Sequence, residues 1–467
     1  AMSTAQVVGE GETVVMLLQD EDPFCVVVGR RLEHRINRTK VSTAPILGTP
    51  HGSVFELRGR RLVHVAGFGL RIGGEHDPDA PDAEEAAATA QAAPAGGEAA
   101  AAAAFAAGAA GDVSADNRDL TDTNDAQQLS QSDIESLKSS NTDGQVIIQK
   151  LIAHSSTFQH KTGFSQQKWL QRKSKKYILR LRIVKATPRT ICDVFFRKHL
   201  ARIWSLRWDT LAQLLSFGGV SAGSRVLAVD GVMGLLVGSA AYRMGGTGLL
   251  LAGFCGQQPH FTACERLNLS TAAADAIQPF AVGAVGAASA AVREGGFRPR
   301  DPERMLRAPP ASGGRPGFMR SGRTPEEEAA VQSALVEGLD SLLIATKYHP
   351  LPLFETMLEL LLPSRPFAVF SEYVEPLAEC FRYAQTSGKA VNMTLSDTWT
   401  REFQVLPRRT HPTMNMSSHG GYLLTGVRIV TQHIPEPGTD RKRRHREEMQ
   451  RVSEEVKRAK HAARRAA

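Results

Sequence analysis

Cysteine is scarce in this chain. The five present, Cys25, Cys192, Cys255, Cys264 and Cys380, are scattered, with no CxxC pair and no Cys/His metal spacing. That excludes a disulfide framework and a structural zinc, and it predicts free thiols in a reducing compartment. Long hydrophobic runs are missing too. The longest weakly polar stretch, Pro279 to Val292, has about 14 residues where a bilayer span needs about 20, so no membrane association is expected. The first residues, AMSTAQVVGEGE, lack the basic and apolar regions of a secretory signal. One further absence is local: no Asp or Glu occurs from Gly231 through Cys264.

What is present describes a soluble globular protein, with 42% apolar and 22% charged residues. At 467 residues the chain predicts two or more domains, since single cores rarely grow past roughly 250–300 residues. The net charge is +8. Basic proteins bind many polyanions or none, so the placement of the charge matters more than its sum.

The runs TVVMLL, FCVVV, SVFEL and RLVHV within residues 13 to 65 are β-type and separated by turn residues and Arg-rich connectors. They predict a small antiparallel sheet or barrel, the first part of an N-terminal domain at 1–76. Residues 77–115 form an Ala/Gly-rich low-complexity insertion, read as disordered or loosely helical. Residues 116–208 complete the domain. There Ser132 and Glu135 have capping-box spacing, and GQVIIQKLIAHS and SQQKWLQRK read as helices. The alternating run YILRLRIVKATPRTICDVFF is expected to be a strand returning to the N-terminal sheet.

From 209 to 432 strand-like and helix-like runs alternate: TLAQLLSFG, SRVLAVDG, GLLLAGFCG, DSLLIATKY, PLFETMLELLL, RPFAVFSEY, PLAECFRYAQTSG and GGYLLTGVRIV. This predicts βαβ units on a mostly parallel sheet, hence an α/β, Rossmann-like domain. A Gly/Ala/Pro-rich insertion with little order is expected at about 271–325, and a basic C-terminal tail at 433–467.

VLAVDGVMGLLVG, residues 226–238, lies where such a fold carries its cofactor loop. A working nucleoside site there needs glycines that admit the ligand, free N–H groups at a helix start, and an acid after the next strand for the ribose. The loop of S-adenosylmethionine-dependent methyltransferases resembles a strand, an acid, then G-x-G-x-G. Laid on this sequence, the acid falls at Ala228 and the glycines at Asp230, Val232 and Gly234, so one glycine survives. The catalytic acid of the later strand falls at Thr346. The pattern reads as a degenerate cofactor pocket.

The segments SQSDIESLK, GQVIIQKLIAHSSTFQHKTGFSQQKWLQRKSKKY, WDTLAQLL and QVLPRRTHPTMNMSSHGGYLLTG resemble the non-catalytic subunit of the eukaryotic tRNA (adenine-58) N1-methyltransferase. The likeness runs from about 116 to 430, outside the insertion. It implies a degenerate methyltransferase-type Rossmann domain behind a β-barrel-like N-terminal domain with helices. It also implies tRNA binding without catalysis in a nuclear heterotetramer of two plus two. The catalytic partner would bind S-adenosylmethionine and methylate an adenine of the tRNA T-loop. This chain would carry no catalytic residue, cofactor or metal of its own.

The charge distribution supplies the candidate tRNA contacts. From Lys168 to Arg207 thirteen cations face one anion, Asp193. The candidates are Lys168, Arg172, Lys173, Lys175, Lys176, Arg180 and Arg182, able to displace counterions from phosphates. Trp169, Tyr177, Trp204 and Trp208 interleave with them as stacking platforms, or as core. Arg180 and Arg182 alternate with apolar residues as the wet side of a strand would. PRRTHP adds Arg408, Arg409 and His411, which the resemblance places near the tetramer's active-site cleft; His411 before Pro412 also suits a plain loop. His419 has no acid to orient it and reads as a turn residue. The Arg441–Arg446 cluster reads as a nuclear address, an RNA grip or an unstructured end. Two rival functions remain: a nuclear RNA-binding scaffold, and a self-sufficient S-adenosylmethionine-dependent RNA methyltransferase.

Overall fold

A computed structural model of the chain describes residues 7–18, 22–36, 39–58, 60–65, 127–139, 144–158, 163–300, 325–405, 410–414, 419–430 and 449, apart from a few side chains within helices. Two units result: Ala1–His199 with Arg266–Asn268 and Thr400–Ser417, and Leu200–Glu265 with Leu269–Trp399 and Ser418–Ala467. The Ala/Gly-rich insertion at 77–115 lies outside the described residues, as does the tail at 433–467 apart from Met449.

In the first unit, strands β1 (Thr13–Leu18), β2 (Phe24–Val27), β5 (Val54–Arg58), β6 (Arg61–Val65) and β7 (Arg180–Lys185) form one antiparallel sheet in the order β2-β1-β7-β5-β6. The late strand β7 lies in the middle, with Val184 opposite Val15 and Leu181 opposite Phe55. The return of this segment to the N-terminal sheet is as the alternation predicted. A separate hairpin, β3 (Glu33–Ile36) and β4 (Thr39–Ser42), was not legible as strands. Its Ile36 and Val41 join the core of Val14, Met16, Phe55, Leu181 and Ile183. The hairpin thus packs on the core of the five-stranded sheet without joining its hydrogen-bonded ladder. The expected barrel is therefore, among the described residues, an open antiparallel sheet with a hairpin beside it.

The helices of this unit are α1 (Gln131–Ser139), α2 (Gly144–Ala153), α3 (Gly163–Tyr177) and α4 (Pro188–Lys198). Two details differ from expectation. The capping pair of α1 is Ser130 with Asp133, each side chain bound to the other's backbone amide at 3.2 Å, and not Ser132 with Glu135. The run expected to be all strand stops at Lys185. Thr187 caps a new helix through Thr190, and Pro188 presets its first turn. The buried residues Ile191, Cys192, Val194 and Phe195 then follow a helical period, which the β-branched content had masked.

In the second unit β8 (Arg225–Asp230), β9 (Leu249–Phe254), β10 (Ile277–Ala281), β11 (Ser341–Ala345), β12 (Pro366–Ser371), β13 (Ala390–Asp397) and β16 (Tyr422–Arg428) form a sheet ordered β10-β9-β8-β11-β12-β16-β13. Five strands are parallel, and β16 runs antiparallel to both β12 and β13. The strand order reverses between β8 and β11, the place where open α/β sheets take ligands at their carboxyl edge.

Helices cover both faces. Leu227, Val229, Leu342, Ile344, Phe367 and Val369 pack with α9 (Val285–Gly295), α10 (Pro325–Val336), α11 (Pro350–Leu358) and α12 (Val374–Ser387). The alternate residue Leu343 points to the other side, toward Gly218 at the end of α5 (Trp208–Phe217). Helix α6 (Leu235–Met244) packs beside α5. Each large apolar side chain so buried contributes about 1.5–3 kcal/mol.

The expected insertion at 271–325 needs correction. Residues up to 300 are folded: α8 (Thr271–Asp275), capped by Ser270, leads into β10 and then α9. Only 301–324 lie outside the described residues. Ala273, Ala274 and Ala288 are buried, Ala288 within the main core of the unit. Pro279, which cannot donate to a ladder, sits in the edge strand, where that is tolerated.

Candidate cofactor loop and nucleic-acid interface

The chain leaves β8 at Asp230 and enters α6 at Leu235, so the loop between them is the candidate cofactor loop. Asp230 turns its carboxylate onto this loop. Oδ1 accepts the amides of Val232 at 2.8 Å and Gly234 at 2.9 Å, and Oδ2 accepts that of Val237 at 2.9 Å. Burial pushes this carboxyl above its usual pKa, while the amides of Val237, Gly234, Val232 and Leu236 pull the other way. A helix start offers N–H groups and a positive dipole end to an anion or a polar ligand. Here the protein's own carboxylate takes them.

The rest of the loop is closed by packing. Val232 is fully buried. Gly234 has a φ of +79°, and a Cβ on it would lie 2.5 Å from the Phe261 backbone. The surviving glycine is therefore required by the close approach of the segment after β9. That segment is fixed by Ala263, whose amide donates to Met233 at 3.0 Å, and by the Cys264 thiol on the Gly234 carbonyl at 3.3 Å. At Gly231 a Cβ would meet Thr346, whose hydroxyl accepts the Tyr348 amide at 3.2 Å. These residues do not fit S-adenosylmethionine: the donors are occupied, the Phe261 backbone stands against Gly234, and no carboxylate occurs from Gly231 through Cys264.

The carboxyl edge of the sheet carries a second polar cluster. Arg207 forks onto Asp209 at 2.6 and 2.8 Å and also donates to the Thr398 carbonyl at 2.9 Å. Ser205 donates to Glu372 at 2.6 Å, and His419 contacts the Glu372 carbonyl at 3.1 Å. These bonds join chain segments far apart in sequence and read as structural.

The basic segment divides. Arg172, Lys173 and Lys176 lie on α3, with Arg172 and Lys176 exposed. Lys168 and Lys175 are on the same helix, but their side chains lie outside the described residues. Lys173 and Lys176 both stand over the Tyr177 ring, at 5.9 and 5.7 Å, and Lys173 also over Trp169 at 5.3 Å. Burial, then the charge of Lys176, lowers the Lys173 pKa. Trp169 packs on the buried Phe158 at 4.9 Å, which favours the core reading of that aromatic. Trp204 and Trp208 are half-buried.

Arg180 and Arg182 do not lie on a wet strand face. Both are half-buried, and Arg180 pairs with the buried Glu56 at 3.5 Å. The alternation was right, but the second face of the sheet is covered. His411 is exposed on the short β15 (His411–Pro412), which pairs with β14 (Phe403–Gln404). Arg408 and Arg409 lie outside the described residues. Among the described residues no His/Cys/Asp/Glu group could hold a metal, and no helix is long and apolar enough to cross a membrane.

Sheet order and loop position together define a protein of the methyltransferase-type Rossmann fold whose cofactor loop is filled from within. The family model described as the Gcd10p family matches residues 7–281, and the chain belongs to that family. A curated relative, the tRNA (adenine(58)-N(1))-methyltransferase non-catalytic subunit TRM6 of Mus musculus, is 30% identical over 362 residues, 66% of this chain and 72% of that one. The corresponding subunit of Dictyostelium discoideum is 32% identical over 322 residues, and the match spans 65% of this chain and 62% of its length. Among solved structures, an S-adenosylmethionine-dependent O-methyltransferase of Thermotoga maritima aligns with TM-score 0.46 and 10% identity over 93% of this chain and 98% of that one. The tRNA (m1A58) methyltransferase of Aquifex aeolicus aligns with TM-score 0.41 and 9% identity over 91% and 100%.

Proposed function

We propose that this chain is the non-catalytic, tRNA-binding subunit of a tRNA (adenine(58)-N(1))-methyltransferase. It supports N1-methylation of a T-loop adenine by a catalytic partner that holds the S-adenosylmethionine. The observation that carries the reading is the Asp230 carboxylate on the loop amides, in a chain whose curated relatives are named as non-catalytic subunits. A methyltransferase fold without room for its methyl donor still offers a rigid surface for RNA and for a second subunit.

The exposed cations of α3 are the first candidates for the RNA path, with His411 a further one. A heterotetramer of two plus two and a nuclear location complete the proposal; the motif resemblance supports the first and the Arg441–Arg446 cluster the second. The test is co-purification with the catalytic subunit of the same organism, followed by methylation of a tRNA transcript. The pair is expected to methylate and this chain alone to remain inactive. Calorimetric titration of this chain with S-adenosylmethionine should give no heat of binding. Micromolar binding would point to a self-sufficient enzyme, and failure to associate with the catalytic subunit would point to an unrelated RNA scaffold.

A further inference from the structure

The N-terminal unit contains an arrangement that folding alone does not favour. On the hairpin β3–β4, Arg35 stands directly opposite Lys40. On β5–β6, Arg58 stands directly opposite Arg61, with Arg60 at the turn between them. Residues opposite each other on an antiparallel pair bring their Cβ atoms within about 4.5–5.5 Å, where like charges repel and destabilise the hairpin. Both hairpins do this, and β4 lies beside β6.

The local acids cancel only part of the charge, at Arg58. Glu56 is taken by Arg58 at 3.1 Å and by Arg180 at 3.5 Å. Glu10 faces Arg30 at 3.7 Å in an exposed pair. Glu33 lies on the same outward face as Arg35 but opposite Ser42. Arg35, Lys40, Arg60 and Arg61 are all exposed and have no ion-pair partner among the described residues. The outward positions of β3–β4 are Glu33, Arg35, Lys40 and Ser42, with no apolar side chain to enter a lipid surface.

We infer that the adjoining hairpins β3–β4 and β5–β6 form a phosphate-binding face that takes the sugar-phosphate backbone of the RNA substrate. The site stands on other elements than the α3 cations, and the inference rests on the tRNA-binding reading given above. Two cations held opposite each other on a rigid ladder can bear jointly on one phosphate, and the mutual repulsion that opposes folding is relieved when the anion arrives. Proteins break local stability rules at functional sites, and paired repulsion on two neighbouring hairpins is such a break.

The test uses the full chain, with affinity for a tRNA transcript measured across a salt series. Lys40→Glu combined with Arg61→Glu should weaken binding at least about tenfold at low salt. It should also flatten the log–log salt dependence by about 1.4–1.8, the loss of two phosphate contacts. Thermal melting separates this from a folding defect: Lys40→Glu alone turns a like-charge pair into an opposite-charge pair, so its melting temperature should match or exceed that of the wild type. Lys40→Gln with Arg61→Gln repeats the test without reversing charge. If wild-type protein binds tRNA and both double variants bind with unchanged affinity and slope, the hairpin face is not an RNA site. A lower melting temperature for Lys40→Glu would show that the pair serves the fold, and would also overturn the inference. If wild-type protein binds no tRNA, the functional reading fails instead.

Discussion

Asp230 Oδ2 accepts the backbone amide of Val237 at 2.9 Å, across seven residues of sequence, and so bridges the end of β8 to the first turn of α6. With the bonds to Val232 and Gly234, one side chain satisfies the donors that a nucleoside cofactor would otherwise meet.

Asp230→Ala should therefore destabilise the second unit. It leaves three loop amides without their acceptor, and each buried unsatisfied donor costs about 1–3 kcal/mol, so a loss of about 3 kcal/mol or more is expected in urea unfolding. Asp230→Asn keeps one acceptor oxygen and should lose about half as much. A change below about 0.5 kcal/mol for the alanine variant would show that the carboxylate is not holding the loop.

Clearing the glycine positions should not create a methyl-donor site. In Asp230→Gly with Val232→Gly the Phe261 backbone still abuts Gly234, and no carboxylate stands at the end of β9 to hold a ribose. Equilibrium dialysis with S-adenosylmethionine should find no binding up to millimolar cofactor. Saturable micromolar binding would mean that two side chains alone close the pocket.

Gly234→Ala should cost more than an ordinary surface substitution. The left-handed backbone disfavours any L side chain by about 1–2 kcal/mol, and the new methyl would also meet the Phe261 backbone. A melting temperature equal to wild type would contradict the packing of that segment on the loop.

Acid should weaken the Arg207–Asp209 fork. Burial acts to raise the Asp209 carboxyl, but the hydrogen bond and charge of Arg207, with Thr398 and the Thr210 amide, outweigh it and hold the pKa below the usual value. A carboxyl depressed in the folded state contributes stability above its unfolded pKa of about 3.9, and that contribution is lost as pH falls through the folded value. At pH 7, Asp209→Asn should cost about 3–5 kcal/mol, because buried Arg207 loses its counter-ion. The gap to wild type should narrow below about pH 4. Urea unfolding at the two pH values measures it; a gap independent of pH would remove Asp209 as the titrating group.

For the α3 cations, Lys173→Glu with Lys175→Glu and Lys176→Glu should weaken tRNA binding and flatten its salt slope while assembly with the catalytic partner persists. Unchanged affinity would take α3 out of the RNA path.

The parallel strands were legible because strands covered on both faces read as unbroken Val/Leu/Ile runs, as in SRVLAVDG and DSLLIATKY. The filled loop was legible because each ligand requirement maps to a residue type at a fixed offset. Strand β13, AVNMTLSD, was missed because it is an edge strand with exposed polar positions and a bulge between Val391 and Thr394. Residues 271–300 were misread because small residues resemble filler until a close-packed neighbour gives them purpose. The partner of Asp230 was invisible because backbone amides carry no residue identity; the sequence indicates bulk and charge there, but not that the charge caps the next helix. Arg180 looked solvent-facing for a similar reason, since its acid, Glu56, lies on a strand more than a hundred residues away.

The carboxylate that takes the loop amides also fastens the loop, which ties their being occupied to the integrity of the domain. Selection for a well-folded subunit then suffices to keep the amides taken, with no separate pressure against chemistry. A variant that lost Asp230 would be an unstable protein with Phe261 still against Gly234, so folding itself opposes the first of the several changes a cofactor site would need.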